Sequence, residues 1–404
     1  MQRDVVVIGG GHAAAQFCAG MVEAGQGARL HLVCEEPHLP YQRPPLSKSF
    51  LKNPQEAAQP IRGGNWYAES GIEVHGGTLA EAIDRHAGAV SLNDGRSLRY
   101  ATLVLATGTR ARTLPSLPAG LNNIAQLRTA ADAAALRASM ADARDVVVLG
   151  GGFIGLEIAA TARALGKEVT VLEAAPRLLA RSLSPEMAGH VLQNHRAAGI
   201  DIRLDTSATG FEADGDRLVA VLLGPERLDA DLLVVGIGAV AETSIAQAAG
   251  LACRDGIVVD RFMRTSDPRI LAIGDCTRFP LPGGDGDRRL ESVQNANDQA
   301  RTAVATVLGH AVPYAALPWF WSEQGAMRLQ MAGCMPADAV RHLRPGPRED
   351  AFSVLHYRPD GALACVESVN LPQDHMAARK LLEAGRSPPP HVACDPAVAL
   401  KSLV

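Results

Sequence analysis

One pattern occurs twice in this chain, and it limits what the rest can fold into. Asp4 to Glu35 reads DVVVIGGGHAAAQFCAGMVEAGQGARLHLVCE, and Asp145 to Glu173 reads DVVVLGGGFIGLEIAATARALGKEVTVLE. Each copy opens on an apolar run, as a strand buried on both faces requires. Gly9, Gly11 and Ala14 then give the spacing G-x-G-x-x-A, and Gly150, Gly152 and Gly155 give the full G-x-G-x-x-G. The first glycine permits a tight turn. The second lets a pyrophosphate approach the backbone. The small third residue lets helix and strand pack closely. Phosphates would meet the positive end of the helix that follows. In the first copy Arg29–Val33 is predicted as the next strand, ending near Glu35; in the second, Glu173 ends the next strand. A carboxylate there can accept hydrogen bonds from a ribose. Two complete fingerprints a domain's length apart imply two dinucleotides on two similar domains. Electron transfer between a nicotinamide and a flavin is the simplest reason to hold both.

The rest of the chain supplies weaker signals. At 404 residues, two to three domains are expected. The net charge of -4 gives no field for nucleic acid, and no run of 18 apolar residues predicts a membrane span. The N-terminus enters the first strand at once, leaving no room for a signal peptide. Seven cysteines lie scattered without a C-x-x-C, which argues against a disulfide framework, a metal site and a dithiol redox centre. A reducing, cytoplasmic setting is therefore expected.

In PHLPYQRPPLSKSFL, Ser47 is predicted to start a helix with Lys48 in its first turn. A cation there opposes the helix dipole, so either an anionic or flavin partner holds it or it is solvated. Asn93-Asp94-Gly95-Arg96 reads as a hairpin turn. Leu103–Gly108 is a buried strand ending in a tight turn beside a nucleotide, and Arg110 and Arg112 could reach phosphates. Glu173 pairs with a free 2′-hydroxyl and repels a 2′-phosphate, which favours NADH. Arg177 and Arg181 could each reach a phosphate or be solvated. Ala230–Gly238 reads as another apolar strand ending in glycines; Gly256–Asp260 and Thr265–Asp275 follow, and the second ends a buried strand with Gly274-Asp275. Asp275 reads as a ligand-side carboxylate at the end of a parallel strand and also as the N-cap of the next helix, and both can be true. Glu291–Ala300 begins a helix whose free N–H groups could meet a flavin carbonyl. From Leu317 the aromatic texture and alternating runs at Phe352–Tyr357 and Gly361–Val366 predict a separate small α+β domain with antiparallel strands.

RPPLSK at 43–48, LATG at 105–108, LRT at 127–129, GGGFIGLE at 150–157, AIGD at 272–275, ESVQNA at 291–296 and PWFWS at 318–322 occur in that order between and beyond the fingerprints. Together they resemble the FAD-dependent, NADH-linked ferredoxin reductases of bacterial oxygenase systems. The resemblance implies an α/β fold with two Rossmann-like domains, glutathione-reductase-like, and a small α+β C-terminal domain. FAD would bind residues 1–112 and 240–316, NAD residues 113–239, and the C-terminal domain would be 317–404. It implies that Gly9, Gly11, His12, Ala13 and Ala14 hold the FAD pyrophosphate, Glu35 its ribose and Thr78 its adenine end. Arg43, Pro44 and Lys48 would lie at the flavin, with Ala106, Thr107, Gly108, Arg112 and Arg128 along the cofactor. Asp275 would take the ribitol, and Glu291, Ser292 and Val293 the isoalloxazine. Gly150, Gly152, Phe153, Ile154, Gly155, Glu173, Arg181 and Gly238 would line the NADH site.

Lys48 and Glu157 resemble the ion pair the family sets beside the flavin, with Trp321 against the ring. The implied activity takes hydride from NADH onto FAD and passes electrons singly to a [2Fe–2S] or Rieske-type ferredoxin. That ferredoxin would feed a terminal oxygenase, an aromatic-ring-hydroxylating dioxygenase first. Alternatives are a cytochrome P450 ferredoxin or a rubredoxin as partner, an NADH oxidase or peroxidase, and an NADH-responsive interaction module like apoptosis-inducing factor. Arg288-Arg289 is either a docking patch for an acidic ferredoxin or a solvated loop.

Overall fold

The computed structural model describes residues 4–281 and 286–404. They form two compact units. One takes in the described residues of Met1–Arg43, Ala58–Arg110 and Ala239–Ala316; the other takes in Pro44–Ala57, Ala111–Gly238 and Leu317–Val404.

The first unit is built on a five-stranded sheet in the order Ile270–Ala272, Thr102–Leu105, Val5–Ile8, Leu30–Cys34, Glu73–Gly76, with every pairing parallel. The central Val5–Ile8 is buried along its whole length, which explains its unbroken apolar sequence. Helix His12–Glu23 follows it and meets helix Val293–Val307, where Gly20 leaves no room beside Val304 for a larger side chain. A small antiparallel sheet of Ala80–Asp84, Ala89–Leu92 and Ser97–Arg99 carries the Asn93–Arg96 turn, with Gly95 at φ +84°. The second strand starts one residue later than predicted. A 3₁₀ turn at Gly27–Arg29 takes up Arg29, whose guanidinium binds Asp4 at 2.7 and 3.0 Å.

The second unit repeats the design. Its parallel sheet runs Asp201–Arg203, Glu168–Leu172, Asp145–Leu149, Leu232–Val235, Ile124–Ala125. The C-terminal residues add an antiparallel sheet in the order Trp319–Gln324, Met327–Gly333, Leu363–Val369, Phe352–Tyr357, Val340–Pro345. Helix Pro372–Glu383 covers it with Ala377, Ala378 and Leu381. One core joins Val146, Val148 and Leu156 of the nucleotide-type sheet and its helix to Met327, Leu329, Val354 and Val369 of the antiparallel one. Each fully buried side chain of this kind contributes about 1.5–3 kcal/mol. Leu51, from the proline-rich segment, belongs to the same core.

Two local readings fail. Ser47 does not start a helix: Pro44–Ser47 is a 3₁₀ turn, the α-helix is only Ser49–Lys52, and Lys48 stands before it. The prolines fix the turn, and the Ser47 hydroxyl goes to Glu157 instead of a backbone amide. Asp275 does not cap a helix; it lies in the 3₁₀ turn Gly274–Cys276, and Ser292 caps Val293–Val307 by accepting from Asn295 N at 3.0 Å. Within Gly256–Asp260, Ile257–Val258 forms a short strand. Among the described residues no helix is long and apolar enough to cross a membrane.

Candidate dinucleotide sites and a buried charge pair

In the first unit the glycine loop has the shape a phosphate needs. Gly9 sits at φ +130°, and a Cβ there would stand 2.1 Å from the Ala106 carbonyl oxygen, so only glycine lets the strands come this close. A Cβ on Gly11 would meet nothing within 4 Å. The loop is therefore open at the position where a pyrophosphate approaches. No side chain caps helix His12–Glu23, which leaves its first N–H groups for an anion. Ala14 is fully buried against the strand. His12, at the mouth of the loop, hydrogen-bonds Gln42 at 3.0 Å, and Ala13 is buried.

The other first-unit candidates gather at the same ends of the parallel strands, where ligands bind in such sheets. Glu35 is exposed just past Leu30–Cys34. Thr78 lies beside it: its amide donates to Cys34 O at 2.9 Å. Ala106 N donates to Ile8 O at 2.8 Å, and the Thr107 hydroxyl and Gly108 carbonyl bond Glu242. Gly274 and Asp275 follow Ile270–Ala272, with Gly274 packed toward Ala13. Glu291, Ser292 and Val293 stand at the start of the second helix. Arg43 is held by Glu36 at 2.8 Å and lies over the Tyr41 ring.

The second unit has the matching loop. Gly150 is at φ +101° with a built Cβ 2.5 Å from Gly236 O; one on Gly155 would lie 2.3 Å from Gly150 O; one on Gly152 meets nothing. Glu173 does more than end a strand. Its Oε2 accepts from Gly151 N at 2.6 Å and its Oε1 from Ala175 N at 2.7 Å, so the carboxylate braces the loop as well as facing it. Arg177 is spent locally, donating to Leu183 O and Ala180 O. Arg181 is exposed and reaches toward Gly238. Arg112 N donates to Gly238 O at 2.9 Å. Ile154, 47% exposed, begins the loop helix, and Phe153 packs on Phe320 with ring centroids 4.7 Å apart. Arg128 precedes a capped helix, its amide donating to Asp132 at 3.0 Å. Trp321 is half-buried, 5.6 Å from Trp319.

The same unit brings together residues about 110 apart in sequence. Lys48 Nζ donates to Glu157 Oε2 at 2.6 Å and to Pro44 O at 3.1 Å, and Glu157 is buried. Ser47 and Ser322 also donate to this carboxylate, at 2.5 and 2.6 Å. From sequence, Ser47 suggested only a helix start, and Ser322 was visible only as the last letter of PWFWS.

Other features narrow the chemistry. All seven cysteines are free, and burial raises the thiols of Cys18, Cys276 and Cys365, and Cys34 to about 12. Such thiols stay protonated and are poor nucleophiles. His31, Glu73 and His75 converge, with His31 Nδ1 3.0 Å from His75 Nε2. Arg96 lies 2.9 Å from His75 Nδ1 and can only donate. That assigns the hydrogen of His75 to Nε2, so the trio is a hydrogen-bonded chain and not three lone pairs aimed at an ion. Arg289 is half-buried between Glu291 and Asp255, which cancels half of the basic pair expected at Arg288-Arg289.

Residues 3–300 match the pyridine nucleotide-disulphide oxidoreductase family, and 319–404 match the reductase C-terminal family. Rhodocoxin reductase of Rhodococcus erythropolis is 41% identical over 403 residues, covering 99% of this chain and 94% of that protein. The ferredoxin–NAD(+) reductase component of the anthranilate 1,2-dioxygenase system of Burkholderia cepacia is 41% identical over 404 residues, 99% of this chain and 98% of that one. The crystal structure of the ferredoxin reductase for the CYP199A2 system from Rhodopseudomonas palustris superposes with a TM-score of 0.95 at 41% identity over 99% of both chains.

Proposed function

Because this chain belongs to the pyridine nucleotide-disulphide oxidoreductase family, among the ferredoxin reductases, we propose that it passes electrons from NADH through FAD to an iron–sulfur ferredoxin. The observation that carries this reading is the pair of glycine loops, one in each unit, each open at its second glycine. Bound FAD supplies what no side chain here can, accepting a hydride and releasing its electrons one at a time.

The residues bind and orient. The Gly9–Ala14 loop gives room and amides to the FAD pyrophosphate, Glu35 takes the ribose and Asp275 the ribitol. Gly150–Gly155 does the same for NADH, with Glu173 set to receive the ribose hydroxyls. The braced carboxylate and the engagement of Arg177 with local carbonyls support NADH over NADPH. No side chain has to act as acid or base; the work of the protein is positioning and electrostatics. We assign residues 1–112 and 240–316 to the FAD domain, 113–239 to the NAD domain and 317–404 to the C-terminal domain, in the cytoplasm.

For the partner we propose the [2Fe–2S] or Rieske-type ferredoxin of an aromatic-ring dioxygenase, in line with the anthranilate relative. The Rhodopseudomonas palustris reductase, named for the CYP199A2 system, favours a second reading, a ferredoxin serving a P450.

The purified protein should carry one FAD per chain. Anaerobic NADH should bleach the flavin band in one rapid phase and NADPH far more slowly, with Glu173→Ala narrowing the gap. Bleaching by NADH alone at the rate of free flavin would refute the assignment.

A further inference from the structure

Glu157 is a buried carboxylate surrounded by donors, and the donors continue well beyond Lys48. Ser322 Oγ donates to Glu157 Oε1 at 2.6 Å; Gln324 Nε2 donates to Ser322 Oγ at 3.2 Å; His195 Nε2 donates to Gln324 Oε1 at 2.8 Å. Chemistry fixes these directions. The carboxylate only accepts, so Ser322 must donate to it and can then accept from the Gln324 amide group. The oxygen of Gln324 must in turn accept from the imidazole. Burial lowers the pKa of His195 against the opposing pull of Gln324 and so favours the neutral ring, and the accepting Gln324 oxygen calls for the hydrogen on Nε2. Ser47, Glu157, His195, Ser322 and Gln324 are each no more than 4% exposed. A row of polar groups so deeply buried is costly, and apolar side chains of the same volume would often be as stable.

The network lies where helix Phe153–Ala164 meets strand Trp319–Gln324. Phe153 packs on Phe320, and one step along each element Glu157 meets Ser322. Four residues of helix rise about 6 Å and two of strand about 6.6 Å, so the two elements stay in register. Gln324, one step further, extends the row to His195. Trp321 falls between these residues on the strand and so points to its other face.

We infer that Ser322 is a positioning residue for the Lys48–Glu157 pair, with Gln324 and His195 holding Ser322 in place. The C-terminal strand thereby fixes the rotamer of Glu157 and, through it, the place of the Lys48 charge. This rests on the proposed FAD-dependent reductase activity, in which that pair serves the flavin.

The test uses the FAD-loaded protein as wild type, Ser322→Ala, Ser322→Thr, Gln324→Met, Glu157→Gln, and Ser322→Ala in the Glu157→Gln background. FAD content, the midpoint potential of bound FAD and the single-turnover rate of reduction by NADH are measured. Ser322→Ala should retain FAD, shift the potential and slow reduction about tenfold, as expected for loss of one hydrogen bond to a charged group. Ser322→Thr should restore both. Gln324→Met, which keeps the hydroxyl but loses its anchor, should change both in the same direction. In the Glu157→Gln background Ser322→Ala should add nothing. Wild-type behaviour in both Ser322→Ala and Gln324→Met, additive effects in the double variant, or no rescue by threonine would overturn the inference. A wild-type protein that NADH does not reduce would instead refute the reductase reading itself.

Discussion

At the scale of single residues, the two glycines that flank position 10 do different jobs. Gly11 is in extended backbone, φ −103° and ψ −169°, with open space beyond it. Valine is at home in that conformation. Gly11→Val should therefore fold within about 1 kcal/mol of wild type yet lose nearly all of its FAD, read by absorbance per chain and thermal melting. Gly9→Ala should do the opposite. It is strained at φ +130° and drives a Cβ into the Ala106 carbonyl, at about 2 kcal/mol or more of folding stability. Full flavin content in Gly11→Val would contradict the account. The local parts of this site were legible because a glycine turn is written in consecutive residues. Ser322, Gln324 and His195 were not. Their partners lie 165 residues away for Ser322 and 129 for His195, and no spacing rule reaches that far.

At the scale of elements, buried strands were easy to read and short turns were not. Val5–Ile8 and Asp145–Leu149 are apolar because both faces are covered. The segment around Lys48 misled because a serine before a lysine looks like a cap, while its hydroxyl bonds a carboxylate that only tertiary structure brings near. Helix Pro372–Glu383 carries a further consequence. His375 sits against Trp319, and both of its ring nitrogens lack a hydrogen-bond partner. Burial first, then the charges of Arg379 and Arg328, lower its pKa to about 4. The folded state thus resists a proton that the unfolded chain binds near pH 6.5. Stability from this group is full above about pH 6.5 and declines as pH falls toward 4. Urea midpoints followed by tryptophan fluorescence should drop between pH 7 and pH 5 in wild type, and drop less in His375→Leu. Parallel curves would show that His375 does not titrate in that window.

At the scale of the whole molecule, the repeated fingerprint made two nucleotide-type sheets readable from sequence alone. The core that Met327, Leu329, Val354 and Val369 share with the second parallel sheet was not readable, because apolar residues do not announce their partners. The chain's net charge of -4 and the neutralised Arg289 leave little to draw a ferredoxin by field alone. Recognition of the partner is then a matter of local surface, and its salt dependence should be shallow.

The most direct measurement of the central claim is NADH-dependent cytochrome c reduction, run with the FAD-loaded protein and a panel of [2Fe–2S], Rieske-type and rubredoxin partners. The account predicts little reduction without an iron–sulfur protein and a large, saturable increase with a [2Fe–2S] or Rieske-type ferredoxin. Equal rates with and without every partner, while NADH still bleaches the flavin, would contradict it.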